Sequence, residues 1–479
     1  MKKISTIAFC LISGLTFGQQ WQNKKYSYDS TLNIIYGTAT NFNGGVDTLK
    51  LDIYMPKCGD SLGLSKRPLL MWIHGGAFLA GSKDDASIKN LCKQFAKRGY
   101  VTASISYRLG FISDDLSRTC NFPNYSCVFA ADTAEWVRAS YRAMQDGKGA
   151  LRYLINRHQL YRIDTNNVFL AGESAGAFVA LGMAFIDTAI EKSALTDSIM
   201  AAAKPHSQTA SCVYNSNKTF ASTVLRPDLG SIDGNIEPSA INYQIKAVGN
   251  MYGAMLFDYF KHGKVNTHKP AIYSFHQPCD LVVPIDSGRV YESLSWCLSN
   301  GYNCLGIANT PKIYGSRAIS QWNTIKSYGY TIQDEFTTTS FPYNFLIGAG
   351  SCADQINKPC HAYDNPSLRE NNLAAFFASK ISTMPICDTF FKISGISDPF
   401  KGIKVMLYPN PTYGLFNLEI NSNNKLAKVE VFNSTGVLIK KINVDTNLTE
   451  INLASNNPGI YFINVTIDGQ ISHAKIMLY

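Results

Sequence analysis

The sequence predicts an α/β protein, a mostly parallel sheet flanked by helices, followed by a small all-β sandwich. Three observations predict it. From about Leu49 onward, short apolar runs alternate with stretches of helical periodicity, the pattern of strands joined by crossover helices. The run RPLLMWI from Arg67 to Ile73 is almost wholly apolar, as a strand covered on both faces should be. After about Val405 the helical pattern gives way to short alternating strands, separated by turns rich in Asn, Gly and Ser. At 479 residues the chain is longer than one ordinary domain needs, which agrees with one large unit and one small one.

The chain begins Met1-Lys2-Lys3, continues with apolar residues from Ile4 to Phe17, and turns polar at Gln19 and Gln20. A positive start and a short apolar stretch make residues 1–20 a signal peptide, too short to span a bilayer. No other stretch is long enough to cross one, so the expected protein is exported and has no transmembrane segment. Export places the cysteines in an oxidising compartment. Of the twelve, Cys10 leaves with the signal and eleven remain. Ile88, Leu91, Cys92 and Phe95 stand at i, i+3, i+4 and i+7, which makes Cys92 a buried core thiol. The other ten can pair. Cys120 with Cys127, Cys297 with Cys304 and Cys352 with Cys360 are close neighbours, while the partners of Cys58, Cys212, Cys279 and Cys387 stay open.

Composition narrows the chemistry. With 46% hydrophobic residues the chain can bury a sizeable core. A net charge of +9 without any Lys/Arg run argues against nucleic acid as a partner. There is no CxxC pair, no HExxH and no glycine-rich phosphate loop, so neither a metal nor a cofactor is expected.

Taken in order, the alternating segment from Leu49 to Pro56 reads as a half-exposed strand ended by proline. The strand at 67–73 leads into His74-Gly75-Gly76-Ala77-Phe78. The helix that holds Cys92 ends at Gly99, and Tyr100 to Tyr107 forms the next strand. Arg108-Leu109-Gly110 and a cysteine-bearing loop follow. A long helix from about Ala130 to Gln159 then turns Trp136, Leu151, Leu154 and Ile155 inward. Next come Val168-Phe169-Leu170-Ala171, the turn Gly172-Glu173-Ser174-Ala175-Gly176, and an apolar helix. G-x-S-x-G between a strand and a helix needs small residues on both sides of the serine, because the chain turns sharply there. The turn lifts the Ser174 hydroxyl above the sheet, beside the free N–H groups of a helix N-terminus. Ser174 is therefore a candidate nucleophile.

HGGAF after one strand, YRLG after the next, D-x-x-x-A-x-x-x-L from Asp146 to Leu154, and GESAG together resemble the carboxylesterase branch of the α/β-hydrolase superfamily. The resemblance runs over roughly 21–385 and implies an α/β-hydrolase catalytic domain at 21–400. It implies an oxyanion hole from the N–H groups of Gly76, Ala77 and Ala175, with His74, Gly75, Gly172 and Gly176 supporting the two motifs. After the strand KPAIYSF, the segment from His276 through Gln277, Cys279 and Asp280 to Pro284 resembles the family's HGxxDxxVP. That implies Asp280 as the acid, although Gln277 stands where the family has glycine. Asp286 and Asp258 are the rival carboxylates.

His361 follows the strand candidate FLIG (345–348) and precedes a helix from about Pro366 to Ser382. This is the family's place for the base, and it completes the chain order Ser, Asp, His. His158, His206, His262 and His268 sit in polar surroundings before the acid, and His473 lies in a separate module. The long loop before His361 is closed either by a Cys352–Cys360 clip or by a Cys279–Cys360 link. Two stretches, about 204–242 and 286–342, interrupt the alternation and are lid and pocket candidates. They carry Tyr214, Tyr291, Trp296 and Tyr302.

Beyond about Asp388, YPNP, FNSTGVLI, PGIYFINV and the terminal AKIMLY resemble the C-terminal sorting domain of the type IX secretion system. The resemblance implies a sorting domain at 401–479, the secretion machinery as its partner, and a secreted or cell-surface protein that passes through the periplasm. The expected function is a secreted serine hydrolase that cleaves carboxylic esters, small or polysaccharide-linked, through a Ser-His-Asp triad and an acyl-enzyme. The alternatives are a serine peptidase of the same fold and a non-catalytic surface binding protein on a hydrolase scaffold.

Overall fold

The computed structural model describes residues 21–57, 66–112, 118–119, 130, 132–202, 213–214, 223–262, 269–290, 310–336, 360–381, 405–420 and 426–478. The chain divides into two compact units, Met1–Asp388 and Thr389–Tyr479. The predicted signal peptide, the strand candidate at 345–348, and Tyr291, Trp296 and Tyr302 lie outside the described residues.

The first unit is built on an eight-stranded sheet. Its strands are β1 (Ser27–Thr40), β2 (Val46–Lys57), β3 (Arg67–Ile73), β4 (Val101–Ile105), β5 (Ile163–Glu173), β6 (Ile245–Met251), β7 (Ala271–Phe275) and β8 (Ile332–Glu335). They lie in the order β1-β2-β4-β3-β5-β6-β7-β8. The hairpin β1–β2 and the pair β2–β4 are antiparallel, and every later pair is parallel. The main helices are α1 (Ala86–Ala96), α2 (Thr133–Asn156), α3 (Ala175–Phe185), α4 (Ser316–Ile325) and α5 (Pro366–Ala378).

Alternation along the central strands shows why both faces had to be apolar. Leu69, Met71 and Ile73 of β3, with Val168 and Leu170 of β5, pack into one core with Met144, Leu151 and Val179 of α2 and α3. Leu70, Trp72, Phe169 and Ala171 point the other way, into a second core with Ile88, Leu91, Phe95, Leu373 and Phe377 of α1 and α5. Successive strand residues face opposite sides, so a strand between two helical layers needs an apolar residue at every position. Cys92 is buried in the second core as a free thiol.

Three expectations need correction. The strand at 46–57 is buried on both faces from Leu51 to Tyr54, because Leu51 and Ile53 join one core, Tyr54 joins the other with residues of α1, and Asp52 pairs with buried Lys83. β1 itself reads as mixed polar and aromatic sequence because most of its residues are exposed, so no apolar stripe marks it. The supposed interruption at 286–342 contains α4 and the sheet's last described strand, β8, whose four residues IQDE are too polar to read as a parallel strand. Finally, the described part of the 204–242 stretch is not a free lid over the sheet. Gln145 Nε2 donates to the carbonyls of Leu229 and Ser231 at 2.7 Å each, and Arg152 Nη2 donates to that of Asp233 at 2.7 Å. Arg226 pairs with Asp132 and Glu135 at 2.8 Å. This segment covers the outer face of α2 and explains why Arg138, Gln145 and Lys148 are buried there.

Among its described residues the second unit has seven strands in two antiparallel sheets. β9 (Val405–Tyr408), β10 (Leu415–Ile420) and β13 (Leu448–Asn452) make one. The other has the order β12-β11-β14-β15, from Leu438–Val444, Ala427–Phe432, Gly459–Ile467 and Gln470–Leu478. Phe416, Leu418, Val429, Val431, Ile463 and Val465 share one core between them. Inward residues alternate with outward ones along β10 and β11, the period that predicted these strands.

Candidate active site

Ser174 sits where β5 turns into α3, with φ 53° and ψ −123°. A non-glycine residue at positive φ is strained, and here the surroundings hold it. Its N–H donates to the Met251 carbonyl at the end of β6 at 3.0 Å. A Cβ added at Gly172 would lie 2.2 Å from the carbonyl of Gly176, and one at Gly176 would lie 2.1 Å from the Ile73 carbonyl. Neither position admits a side chain. Ala175 opens α3, so its N–H has no intrahelical partner and points into the positive end of the helix dipole.

The HGGAF loop leaves β3 beside this turn. A Cβ on Gly75 would come 3.1 Å from Ser174 Cβ, which measures how closely the two turns approach. Gly76 has φ 106°, Ala77 54° and Phe78 60°. The Gly76 carbonyl accepts from the N–H groups of Leu79 and Ala80, and the Phe78 carbonyl accepts from Gly110 at 2.7 Å. His74 is buried beneath the loop and stacks on Tyr107 at 4.3 Å, and the Tyr107 hydroxyl donates to the His74 carbonyl at 2.9 Å. Burial holds the His74 ring below the usual histidine pKa, so it serves as an uncharged support.

Two remote segments complete the site. His361 Nε2 lies 2.7 Å from Ser174 Oγ, and its Nδ1 lies 2.7 Å from Asp280 Oδ2. The other oxygen, Asp280 Oδ1, accepts from the N–H groups of Val282 and Val283 at 2.8 and 2.9 Å. His276 Nε2 approaches Asp280 Oδ2 at 3.2 Å and the Val283 carbonyl at 2.9 Å. A carbonyl only accepts, so this nitrogen carries a proton and donates to both. His276 Nδ1 meets Ser316 Oγ at 2.9 Å. Burial alone raises the Asp280 pKa, but electrostatic attraction to the neighbouring His361 ring and the bonds from His276 and His361 outweigh it. The carboxyl is held below its usual range and is ionised at neutral pH.

The rival carboxylates are engaged elsewhere. Asp258 pairs with Lys326 and the Tyr328 hydroxyl, and Asp286 pairs with Arg317. His158 Nδ1 bonds the Ile155 carbonyl, and His473 lies in the second unit against Asn464. Among the described residues no cluster of His, Cys, Asp and Glu has the arrangement of a metal site.

Of the two closures the cysteines offered for the His361 loop, the structure has the Cys279–Cys360 link, and sequence reasoning missed the other braces of His361. Cys360 forms a disulfide with Cys279, not the Cys352 clip that was one of two possibilities, so the bridge ties the histidine segment directly to the acid segment. Gln277, noticed only as a departure from glycine, donates through Nε2 to the carbonyls of Cys360 and Ala362 at 3.2 and 2.7 Å. It thus grips the backbone on both sides of His361. The Tyr252 ring stands edge-on to the His361 ring at 4.8 Å. Behind it Glu173 is buried, accepts from Ser87 Oγ at 3.0 Å, and lies beside the phenols of Tyr252 and Tyr363. Burial raises the Glu173 pKa and those three hydroxyls partly offset it. Apart from the cysteines, only the spacing of His276 and Asp280, four residues apart, offered a sequence signal for this second layer.

Residues 51–116 and 137–271 match the BD-FAE family, and residues 406–479 match the secretion system C-terminal sorting domain. The first unit is thus similar to the BD-FAE family and the second to the secretion sorting domain. The hydrolase is 29% identical over 133 residues to gut esterase 1 of Caenorhabditis elegans, a stretch that is 28% of this chain and 20% of that protein. It is 28% identical over 165 residues to the bile salt-activated lipase of Mus musculus, 33% of this chain and 24% of that one. The chain thus spans about a fifth to a quarter of the length of these curated relatives. Among solved structures, a truncated carbohydrate esterase from gut microbiota aligns with 75% of this chain and 98% of its own, at 15% identity and a TM-score of 0.39. The sorting domain marks the hydrolase for type IX export to the cell surface or beyond. No described helix is long and apolar enough to cross a membrane.

Proposed function

We propose that the hydrolase cleaves carboxylic esters through an acyl-enzyme formed on Ser174. The observation that carries this reading is the pair of 2.7 Å contacts from Ser174 Oγ to His361 Nε2 and from His361 Nδ1 to Asp280 Oδ2. An ionised Asp280 keeps the imidazole proton on Nδ1, which leaves the Nε2 lone pair facing the serine hydroxyl. As Oγ attacks the ester carbonyl, Nε2 takes its proton, and the carbonyl oxygen gains charge against the N–H groups of Gly76, Ala77 and Ala175. The imidazolium returns that proton to the departing alcohol. Water then attacks the acyl-enzyme by the same path in reverse roles and releases the acid and free Ser174. The alcohol half, a small molecule or a polysaccharide hydroxyl, leaves on the His361 side.

A panel of nitrophenyl acyl esters, acetylated xylan and aminoacyl anilides on the purified mature protein tests the reading. Ester hydrolysis is expected. Cleavage of the anilides without the esters would make the protein a peptidase, and inactivity on the whole panel would favour a binding role.

A further inference from the structure

We propose that Asn250 and Ser316 are positioning residues: acting through His276, they hold a hydrogen-bond donor on Asp280 and so aim its carboxylate at His361. The proposal rests on the reading of Ser174, His361 and Asp280 as a triad. β6 and β7 lie between two helical layers, where every position should be apolar. Two positions break that rule. Asn250 and Ser274 stand directly beside each other in the register of the two strands, and both are fully buried. Polar groups in such a place cost free energy unless they are hydrogen-bonded, so a pair of them points to a function and not to a packing choice.

Their bonds run in one direction. The Gly253 N–H donates to Asn250 Oδ1 at 3.1 Å, which fixes the orientation of the amide. Asn250 Nδ2 then donates to Ser316 Oγ at 3.1 Å and to Ser274 Oγ at 3.4 Å. Ser316 opens α4 and is itself fully buried. With the amide donating to its oxygen, the Ser316 hydroxyl donates onward to His276 Nδ1 at 2.9 Å. That keeps the His276 proton on Nε2, which faces Asp280 Oδ2 at 3.2 Å. A ring whose tautomer is set from behind cannot turn a lone pair toward the carboxylate. The series Asn250, Ser316, His276 thus ends on the same oxygen that takes the His361 Nδ1–H at 2.7 Å.

The far end of the series is tied to the nucleophile. Asn250 pairs in register with Gly172 of β5, and the carbonyl of the next residue, Met251, accepts the Ser174 N–H at 3.0 Å. A Cβ on Gly253 would lie 2.3 Å from Ala177 Cβ in the first turn of α3 and 2.7 Å from Asn250 Oδ1, so no side chain fits between the amide and that helix. Asn250 therefore sits against the serine turn on one side and begins the series to the acid on the other. The acid and the nucleophile take their places from one strand, β6.

The test is a double-mutant cycle on the purified mature protein with a nitrophenyl acyl ester. Turnover is counted per active site titrated with a fluorophosphonate, so unfolded molecules do not enter the result. Ser316→Ala should lower kcat roughly 10-fold and His276→Leu roughly 100-fold, both with KM little changed. The double variant should be no slower than His276→Leu alone, because Ser316 acts only through that ring. Asn250→Asp keeps an oxygen for Gly253 but offers Ser316 no donor, and it should repeat both the Ser316→Ala loss and the non-additivity. His276→Gln, which keeps an N–H to offer Asp280, should restore most of what His276→Leu loses. Losses that multiply in the double variants would make Ser316 and Asn250 packing residues and overturn the proposal, as would an unchanged kcat in Ser316→Ala; either leaves the esterase reading intact. A wild type that hydrolyses no ester overturns the esterase reading and the proposal with it.

Discussion

The two halves of the candidate site are built by different means. The half around Ser174 is made of backbone: two short turns, each following a central strand and packed so closely that a Cβ at Gly176 would strike the Ile73 carbonyl. The half around His361 is made of side chains and cross-links. Asp280 and His361 stand 81 residues apart and are held by the Cys279–Cys360 bridge, the Gln277 amide and the His276 ring. The backbone half has no adjustable parts. The braced half depends on several contacts, each of which can be removed singly, so damage there should come in graded steps.

The largest effects should come from the reacting groups themselves. Ser174→Ala, His361→Ala and Asp280→Asn should each lower kcat by on the order of 10⁴ or more, and the first two should not add in the double variant. A Ser174→Ala protein with a tenth of wild-type activity in steady-state assays would break the comparison at its root. In the backbone half, Gly76→Pro removes one N–H and forces φ away from 106°, so kcat should fall by about 10² to 10³. A rise in KM alone would mean that the donors lie elsewhere.

The braces should cost less. Serine at both Cys279 and Cys360, or Gln277→Ala, should reduce kcat roughly 10- to 100-fold while leaving KM for a nitrophenyl ester little changed, the mark of a displaced His361. The cysteine pair should also lose about 2–4 kcal/mol of unfolding free energy in denaturant titrations, because an 81-residue separation is no longer cross-linked. Gln277→Ala should not. Equal stability losses would make Gln277 a structural residue and not a positioning one.

How much was legible follows the same division. Gly172, Ser174 and Gly176, like His74 to Phe78, lie within a few residues of one another, and strand-turn-helix chemistry dictates them locally. The braces are tertiary. Nothing adjacent to Gln277 says that its amide will reach the carbonyls beside His361, and the cysteine partners could only be enumerated. Elements failed to show for a related reason. β8 carries the polar sequence IQDE at the sheet's edge, and β1 is largely exposed. The buried charges of α2 are hidden from periodicity because a separate segment, 226–237, covers them.

A smaller, pH-dependent effect belongs to Glu173. Its folded pKa is raised by burial, so its contribution favours the fold below the ordinary glutamate value near about 4.3. That contribution is lost as pH rises through the folded value. In thermal melts, Glu173→Gln should therefore gain on wild type as pH is raised from 4 to 7, and a difference that shrinks instead would contradict the assignment. The smallest effect expected is none. A chain ending at residue 400 should keep ester hydrolysis and melting temperature, since the hydrolase core and the sandwich core are separate clusters. In the producing cell the same truncation should hold the protein in the periplasm.

The central claim is that Ser174 is a nucleophile activated by His361. Its most direct measurement is intact-protein and peptide mass spectrometry after reaction with a fluorophosphonate. Wild type should gain one adduct, located on the peptide that carries Ser174, at a rate that falls by several orders of magnitude in His361→Ala. An adduct on another serine, or labelling of Ser174 that is indifferent to His361, would contradict the claim.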